Sequence, residues 1–289
     1  MPFVRGGVCA DPDFMVGVAL HAESLGFESI VAVEHPLVIG GYASRYPYAD
    51  SGRMPLPNDT PIPDPLDLLA FVAGATTTIG LATGVLILPA HHPVTLAKRI
   101  ATVDVLSKGR LRLVIGVGWM REELEATGAE FATRGRRTDE SIDVLRALWA
   151  DSGEEGASFH GEFFGFSAAH SYPKPAQPGG VPLHIGGHSP ASIRRAALAG
   201  DGWAPLGLRG DELAEALASL RTQALAAGRD PDAIEVTLPA SAVHVTVERV
   251  EEMEALGAHR IALAIGGTEL AEACEELSAL AERVGLGGR

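Results

Sequence analysis

The fold is decided by residues 79–110, IGLATGVLILPAHHPVTLAKRIATVDVLSKGR. Residues 79–88 are almost continuously apolar, as in a strand covered on both faces, and they stop at Pro89. A polar loop follows at Ala90-His91-His92-Pro93, and then a helix is expected over 94–106. Gly80 and Gly84 interrupt the strand. A glycine inside a strand weakens it unless a bulge, a kink or a close-lying ligand needs the space. Two readings stand side by side: a core strand with small residues for packing, or a strand end on which something flat rests at Gly84 and Val85.

Working outward, the same strand–loop–helix pattern recurs. A first strand is expected over 3–9, followed by the cap and turn Asp11-Pro12-Asp13 and a helix over 14–25. A second strand, 29–33, runs into Glu34-His35-Pro36, two titratable residues at the carboxyl end of a strand, where α/β folds place chemistry. Residues 37–64 form a long Gly/Pro/Tyr-rich stretch with little apolar periodicity, and Arg45, Tyr46, Tyr48 and Arg53 in it are candidates to rim a pocket. A surface excursion or an oligomer contact is the plainer reading. A helix over 65–76 leads into the opening strand.

Beyond that unit, a strand over 111–116 ends in Gly116-Val117-Gly118-Trp119, where the glycines allow a backbone to approach a ligand. Helices are expected over 120–127 and 138–149. Residues 159–177, rich in aromatics, glycine and proline, read as a hairpin and extended arm inserted before the fifth strand, 183–185. Gly186-Gly187-His188-Ser189-Pro190 then opens a helix over 191–199; it reads as an anion site made of free N–H groups, or as a plain strand-to-helix turn. A short sixth strand with turns on both sides is expected within 200–205, and further strands over 234–239 and 260–265, with helices over 211–226, 246–256 and 269–284.

Eight strands, mostly each followed by a helix, predict a (β/α)8 TIM-type barrel as a single domain over 1–289, with one insertion after the second strand. The competing doubly wound sheet lacks its glycine fingerprint in the first strand-to-helix turn. Lys and Arg number 23 against 37 Asp and Glu, a net charge of −14, which excludes a basic stripe for nucleic acid and suits a soluble protein. Cys9 and Cys274 are too few for a disulfide framework, and two reduced thiols in a cytoplasmic protein are expected. No signal peptide and no membrane-spanning apolar run are expected. Ser107, Ser189 and Ser241 show no nucleophile elbow. His91 and His92 lack a spaced carboxylate to complete a metal set, so no metal is expected.

Three segments carry a resemblance to a known family: TGVLILPAHHPVTLAKRIATVDVLSKGRLRLVIGVGW (83–119), RGRRTDESIDVLRALW (134–149) and PLHIGGHSPASIRRAALAGDGWAP (182–205). They resemble the bacterial luciferase-like monooxygenase superfamily, in particular its branch dependent on the deazaflavin coenzyme F420. The resemblance implies a barrel with the coenzyme ring at the carboxyl ends of the strands. It implies a non-prolyl cis peptide at Gly84–Val85 behind the ring, with Ile87 beside it. It also implies that Glu34 and His35 contact the coenzyme, that His35 serves proton transfer, and that Gly116, Val117 and Gly118 lie near the ring edge. Gly186, Gly187 and Ser189 match the family's phosphate cradle.

There are departures from the family pattern. Related sugar-phosphate dehydrogenases carry a glutamate where this chain has Trp119, many relatives carry asparagine where it has Met120, and clustered basic residues for a phosphorylated sugar are missing apart from Arg45, Arg53 and Arg121. An aromatic at 119 suits stacking on an apolar substrate or on the ring. The expectation is an oxidoreductase moving a hydride between coenzyme F420 and a small organic substrate, with Trp119, Tyr46 and Tyr48 in the substrate pocket. A flavin mononucleotide (FMN) monooxygenase of the same fold and a coenzyme-binding protein without turnover are the alternatives. Relatives are often homodimers packed around their second and third helices, and the apolar face over 66–75 permits this.

Overall fold

The computed structural model describes residues 5–286. In chain order the elements are α1 (Pro12–Ser24), β1 (Ser29–Ala32), α2 (Pro65–Ala75), β2 (Gly80–Thr83), β3 (Leu86–Ile87), α3 (Pro93–Leu106), β4 (Leu111–Gly116), α4 (Arg121–Ala126), α5 (Arg134–Trp149), β5 (Ala157–His160), β6 (Gly165–Ala169), β7 (Leu183–Gly186), α6 (Pro190–Ala199), β8 (Gly202–Ala204), α7 (Gly210–Ala226), β9 (Glu235–Ser241), α8 (Val247–Ala255), β10 (Arg260–Ala264) and α9 (Leu270–Val284). The helices start where their caps dictate. Asp11 accepts from the amides of Asp13 and Phe14 with Pro12 in the first turn, and Asp64 does the same for Leu66 and Asp67 ahead of Pro65.

All main-sheet pairings are parallel, in the order β1-β2-β4-β7-β8-β9-β10, with β3 also on β4; β5 and β6 form a separate antiparallel hairpin. Seven strands in a flat sheet would separate the outer two by roughly 29 Å. Instead Glu28, just before β1, stands 2.9 Å from Arg260 at the start of β10, so the sheet curls round on itself. The helical layer follows the curl until α1 lies against α9. The ring of His21 on α1 sits 3.0 Å from the Cys274 carbonyl and 2.8 Å from the Ser278 hydroxyl. Fully buried Met15, Leu69, Leu81, Leu86, Ile100 and Leu113 fill the space between helices and sheet.

The expected first strand is a correction. Residues 1–4 lie outside the described part, and Arg5–Ala10 is a 3-10 helix. Gly7 has φ +73°, which an extended strand does not tolerate, and a Cβ there would lie 2.5 Å from Pro61 Cγ. The expected continuous strand over 79–88 is also broken. It forms β2 and β3, with the Gly84–Val85 peptide cis between them. Thr83 stitches the gap: its buried hydroxyl donates to the Val114 carbonyl at 2.9 Å and accepts from the Val114 amide at 3.1 Å.

At the amino-terminal ends of the strands, Glu28, Arg112, His184, Glu235 and Arg260 form a polar layer. His184 is fully buried. Its Nε2 is 3.2 Å from Glu235 Oε2, but off hydrogen-bonding geometry, so neither ring nitrogen has a bonded partner among the described residues.

Candidate active site

The opposite end of the sheet is a mouth floored by one side chain. Val85 projects between the ends of β4 and β7. A Cβ on Gly116 would fall 2.8 Å from Val85 Cγ2, and one on Gly186 would fall 2.7 Å from Val85 Cγ1. Beneath, a Cβ on Gly84 would strike Val31 Cγ1 at 2.4 Å. Three strand-end glycines therefore exist here because Val85 and Val31 need their space. The result is a half-exposed apolar floor with almost no relief. Gly118, at φ +76°, turns the chain just before Trp119, and its own Cβ would press on Ile87 and Leu124.

Glu34 and His35 leave β1 toward this mouth and take different partners. Glu34 is buried, with one oxygen accepting the Ile87 amide just past the Gly84–Val85 bend and the other 2.8 Å from His91 Nε2. Both oxygens are thus engaged within the protein, and Glu34 fixes the bend rather than offering a free carboxylate. Ile87 is likewise a correction: its side chain is buried against Leu124 and Ala129 instead of facing the mouth. His91 belongs to this internal pair, and His92 packs edge-on against Phe164 at 5.3 Å. Among the described residues no group of three or more His, Cys, Asp or Glu is placed to hold a metal ion.

His35 keeps 14% of its side chain exposed, and its Nδ1 lies 3.1 and 3.2 Å from the two carboxylate oxygens of Glu123. Sequence reasoning missed Glu123. It sits in the first turn of α4, a run that reads as an ordinary solvated helix. The only signal was the consecutive pair Glu122-Glu123, which begins three residues after the mouth residue Trp119. Glu123 is fully buried, whereas its neighbour Glu122 faces the 37–64 segment and accepts from Ala43 N (2.6 Å), Ser44 N (3.2 Å) and Ser44 Oγ (2.7 Å).

That segment carries no helix or strand and folds over the mouth. Trp119 meets Tyr42 at 5.3 Å, Tyr46 at 5.1 Å and His35 at 6.2 Å between ring centroids, all edge-to-face. Tyr46 continues to Tyr48 at 5.4 Å, and Tyr48 to His188 at 5.9 Å. An aromatic roof thus runs from His35 to the Gly186-Gly187 turn. Burial pushes the phenol pKa of Tyr46 and Tyr48 up, so both remain neutral hydrogen-bond donors. A cleft of about 810 Å³ beside the roof is lined by Arg45, Tyr46, Tyr48, His188, Leu208 and Glu212 among others, while His35 and Trp119 do not line it.

The proposed anion turn is partly corrected. The Gly187 amide is already given to the Ala204 carbonyl at 3.1 Å, and its own carbonyl accepts Trp203 Nε1 at 2.9 Å. Ser189 caps α6, its hydroxyl accepting the Ser192 amide at 3.2 Å. Gly187 is glycine because φ is +97°, a conformation that L side chains rarely adopt. Val117 lies between the two mouth glycines, half-buried.

The family profile described as luciferase-like monooxygenase matches residues 4–285, and the chain belongs to that family. It is 32% identical over 229 residues to an uncharacterised protein of Mycobacterium tuberculosis, covering 79% of this chain and 77% of the relative. It is 33% identical over 220 residues to an F420-dependent hydroxymycolic acid dehydrogenase of the same organism, covering 75% of this chain and 59% of the relative. Among solved structures, an F420-dependent secondary alcohol dehydrogenase in complex with an F420-acetone adduct aligns with TM-score 0.74 at 17% identity, over 93% and 94% of the two chains. A monooxygenase from Streptomyces bottropensis aligns equally well, with TM-score 0.74 at 23% identity over 94% and 92%.

Proposed function

We propose that this protein is an oxidoreductase that uses the deazaflavin coenzyme F420 to exchange a hydride with a small organic substrate. The observation that carries the reading is the mouth itself. Val85, set flush between Gly116 and Gly186, makes a floor that any added Cβ would spoil, and His35 meets Trp119, which follows the Gly116–Gly118 turn. Such a surface fits a flat tricyclic ring. When bound, the coenzyme supplies a two-electron hydride exchange that no side chain offers. Relatives at 33% and 30% identity named as F420-dependent dehydrogenases support the choice of coenzyme.

The chain's own residues do the rest. Glu34 and His91 hold the bend that places Val85. Trp119, Tyr42 and Tyr46 exclude water above the floor. With Trp119 in place of a carboxylate, His35 is the titratable side chain left to exchange the proton that accompanies the hydride, a role suited to imidazole near neutral pH. Titration with F420 and with FMN, followed by coenzyme fluorescence, tests the assignment. Saturable binding of F420 is expected. Binding of FMN alone overturns the coenzyme choice in favour of a flavin monooxygenase, and binding of neither removes the oxidoreductase. His35→Ala is expected to keep F420 affinity while slowing turnover by roughly 10²-fold or more.

A further inference from the structure

We propose that Glu123 is the positioning residue for His35: it holds the proton on Nδ1 and so leaves Nε2 as the atom presented to the mouth. The catalytic meaning of this rests on His35 exchanging protons with a substrate; the tautomer itself does not.

Three observations support it. The Glu123 carboxylate is fully buried, and a buried carboxylate must be met by donors. The donors it has among the described residues are His35 Nδ1, within 3.1 and 3.2 Å of its two oxygens, and the Leu37 amide at 3.2 Å. A carboxylate only accepts, so the hydrogen lies on Nδ1. The Leu37 contact matters because Leu37 is two residues beyond His35 across Pro36: one carboxylate grips both the ring and the backbone of the turn that carries it. Finally, His35 Nε2 has no hydrogen-bond partner among the described residues and is not a buried atom, while the ring is set edge-to-face against Trp119 at 77°. The far nitrogen is therefore both bare and open.

The hydrogen bond at one imidazole nitrogen decides which proton state the other shows. With Nδ1 committed to Glu123, Nε2 takes a proton as a lone pair, or returns one as imidazolium, without the ring turning over.

The experiment is long-range ¹H–¹⁵N spectroscopy of histidine-labelled protein above pH 8, with the His35 signals assigned by their loss in His35→Gln. In the wild type Nδ1 is expected to be protonated and Nε2 bare. Glu123→Ala is expected to shift the ring toward the Nε2-protonated form that free histidine prefers. Glu123→Gln, whose side-chain oxygen still accepts, is expected to retain the wild-type pattern. A wild-type ring protonated mainly at Nε2 overturns the proposal whether or not either variant folds, and so does a folded Glu123→Ala with an unchanged spectrum. F420 binding on the same samples tests the site's function separately, since failure of the wild type to bind removes that reading and leaves the tautomer result standing.

Discussion

Val85 occupies the space that a Cβ on Gly116 would need, with Cγ2 2.8 Å and Cβ 3.3 Å from that position. Gly116→Ala is therefore expected to overpack the mouth and destabilise the fold by roughly 1–3 kcal/mol. All the close atoms belong to Val85, so Val85→Ala in the same chain should return most of that loss, read as a coupling energy from denaturant unfolding of the two single variants and the double. Strictly additive losses would show that some other contact makes residue 116 a glycine.

Glu122 ties the roof to α4. Glu122 accepts three hydrogen bonds from Ala43 and Ser44, and Ser44 Oγ in turn accepts the Arg121 amide at 2.9 Å. The Ser44 hydroxyl, followed by the surrounding amides, holds the Glu122 carboxyl at about 2, well below the usual carboxylate range. Glu122→Ala should raise amide exchange over residues 43–53 by roughly tenfold, about the value of one to two lost hydrogen bonds, while α5 stays protected. Unchanged exchange would mean that the aromatic contacts alone hold the segment.

His184 makes stability sensitive to mild acid. Burial, reinforced by Arg112 and opposed by Glu235, lowers its pKa from 6.5 to about 4. Between those values the unfolded chain binds the proton that the folded chain refuses. This contribution is thus complete above 6.5 and is lost as pH falls toward 4. Relative to His184→Gln, the wild type should lose on the order of 2 kcal/mol between pH 7 and 4.5 in equilibrium unfolding. Parallel pH profiles for the two proteins would refute it.

Of the three tryptophans, Trp149 is 6% exposed and Trp203 fully buried, whereas Trp119 is half-exposed at the mouth. Acrylamide should quench Trp119 far more than the other two, so Trp119→Phe should remove most of the quenchable emission and most of the response to bound coenzyme. A quenching curve unaltered by the substitution would place Trp119 away from solvent.

Much of this was legible from local pattern. The strand Leu111–Gly116 was readable residue by residue because apolar continuity, the Lys108-Gly109 turn before it and the glycine pair after it all agree. Gly84–Val85 stood out because a glycine in a buried strand demands a reason, although only the structure shows that the reason is Val31 and Val85 packing into neighbouring glycines. What was not legible depends on partners distant in sequence. Glu123 lies 88 residues from His35, and nothing in REELEA marks which acid turns inward. The partners of Glu34 were not legible either, because its engagement with Ile87 and His91 is set by the bend, not by neighbours in the chain. The stretch over 3–9 was expected as the first strand, yet Gly7 takes a left-handed turn against Pro61, a residue more than fifty positions away.

Among the described residues no backbone ladder joins β10 to β1; the two margins meet through Glu28, 2.9 Å from both Arg112 Nη1 and Arg260 Nε, and through the helices α1 and α9 outside. Glu28 is more than half exposed, so this clasp is screened by salt where an amide ladder would not be. The curled sheet is therefore clasped along this margin by exposed charges of the polar layer, at the amino-terminal ends of its strands. Raised ionic strength is expected to weaken this clasp first, at the end of the strands opposite the mouth.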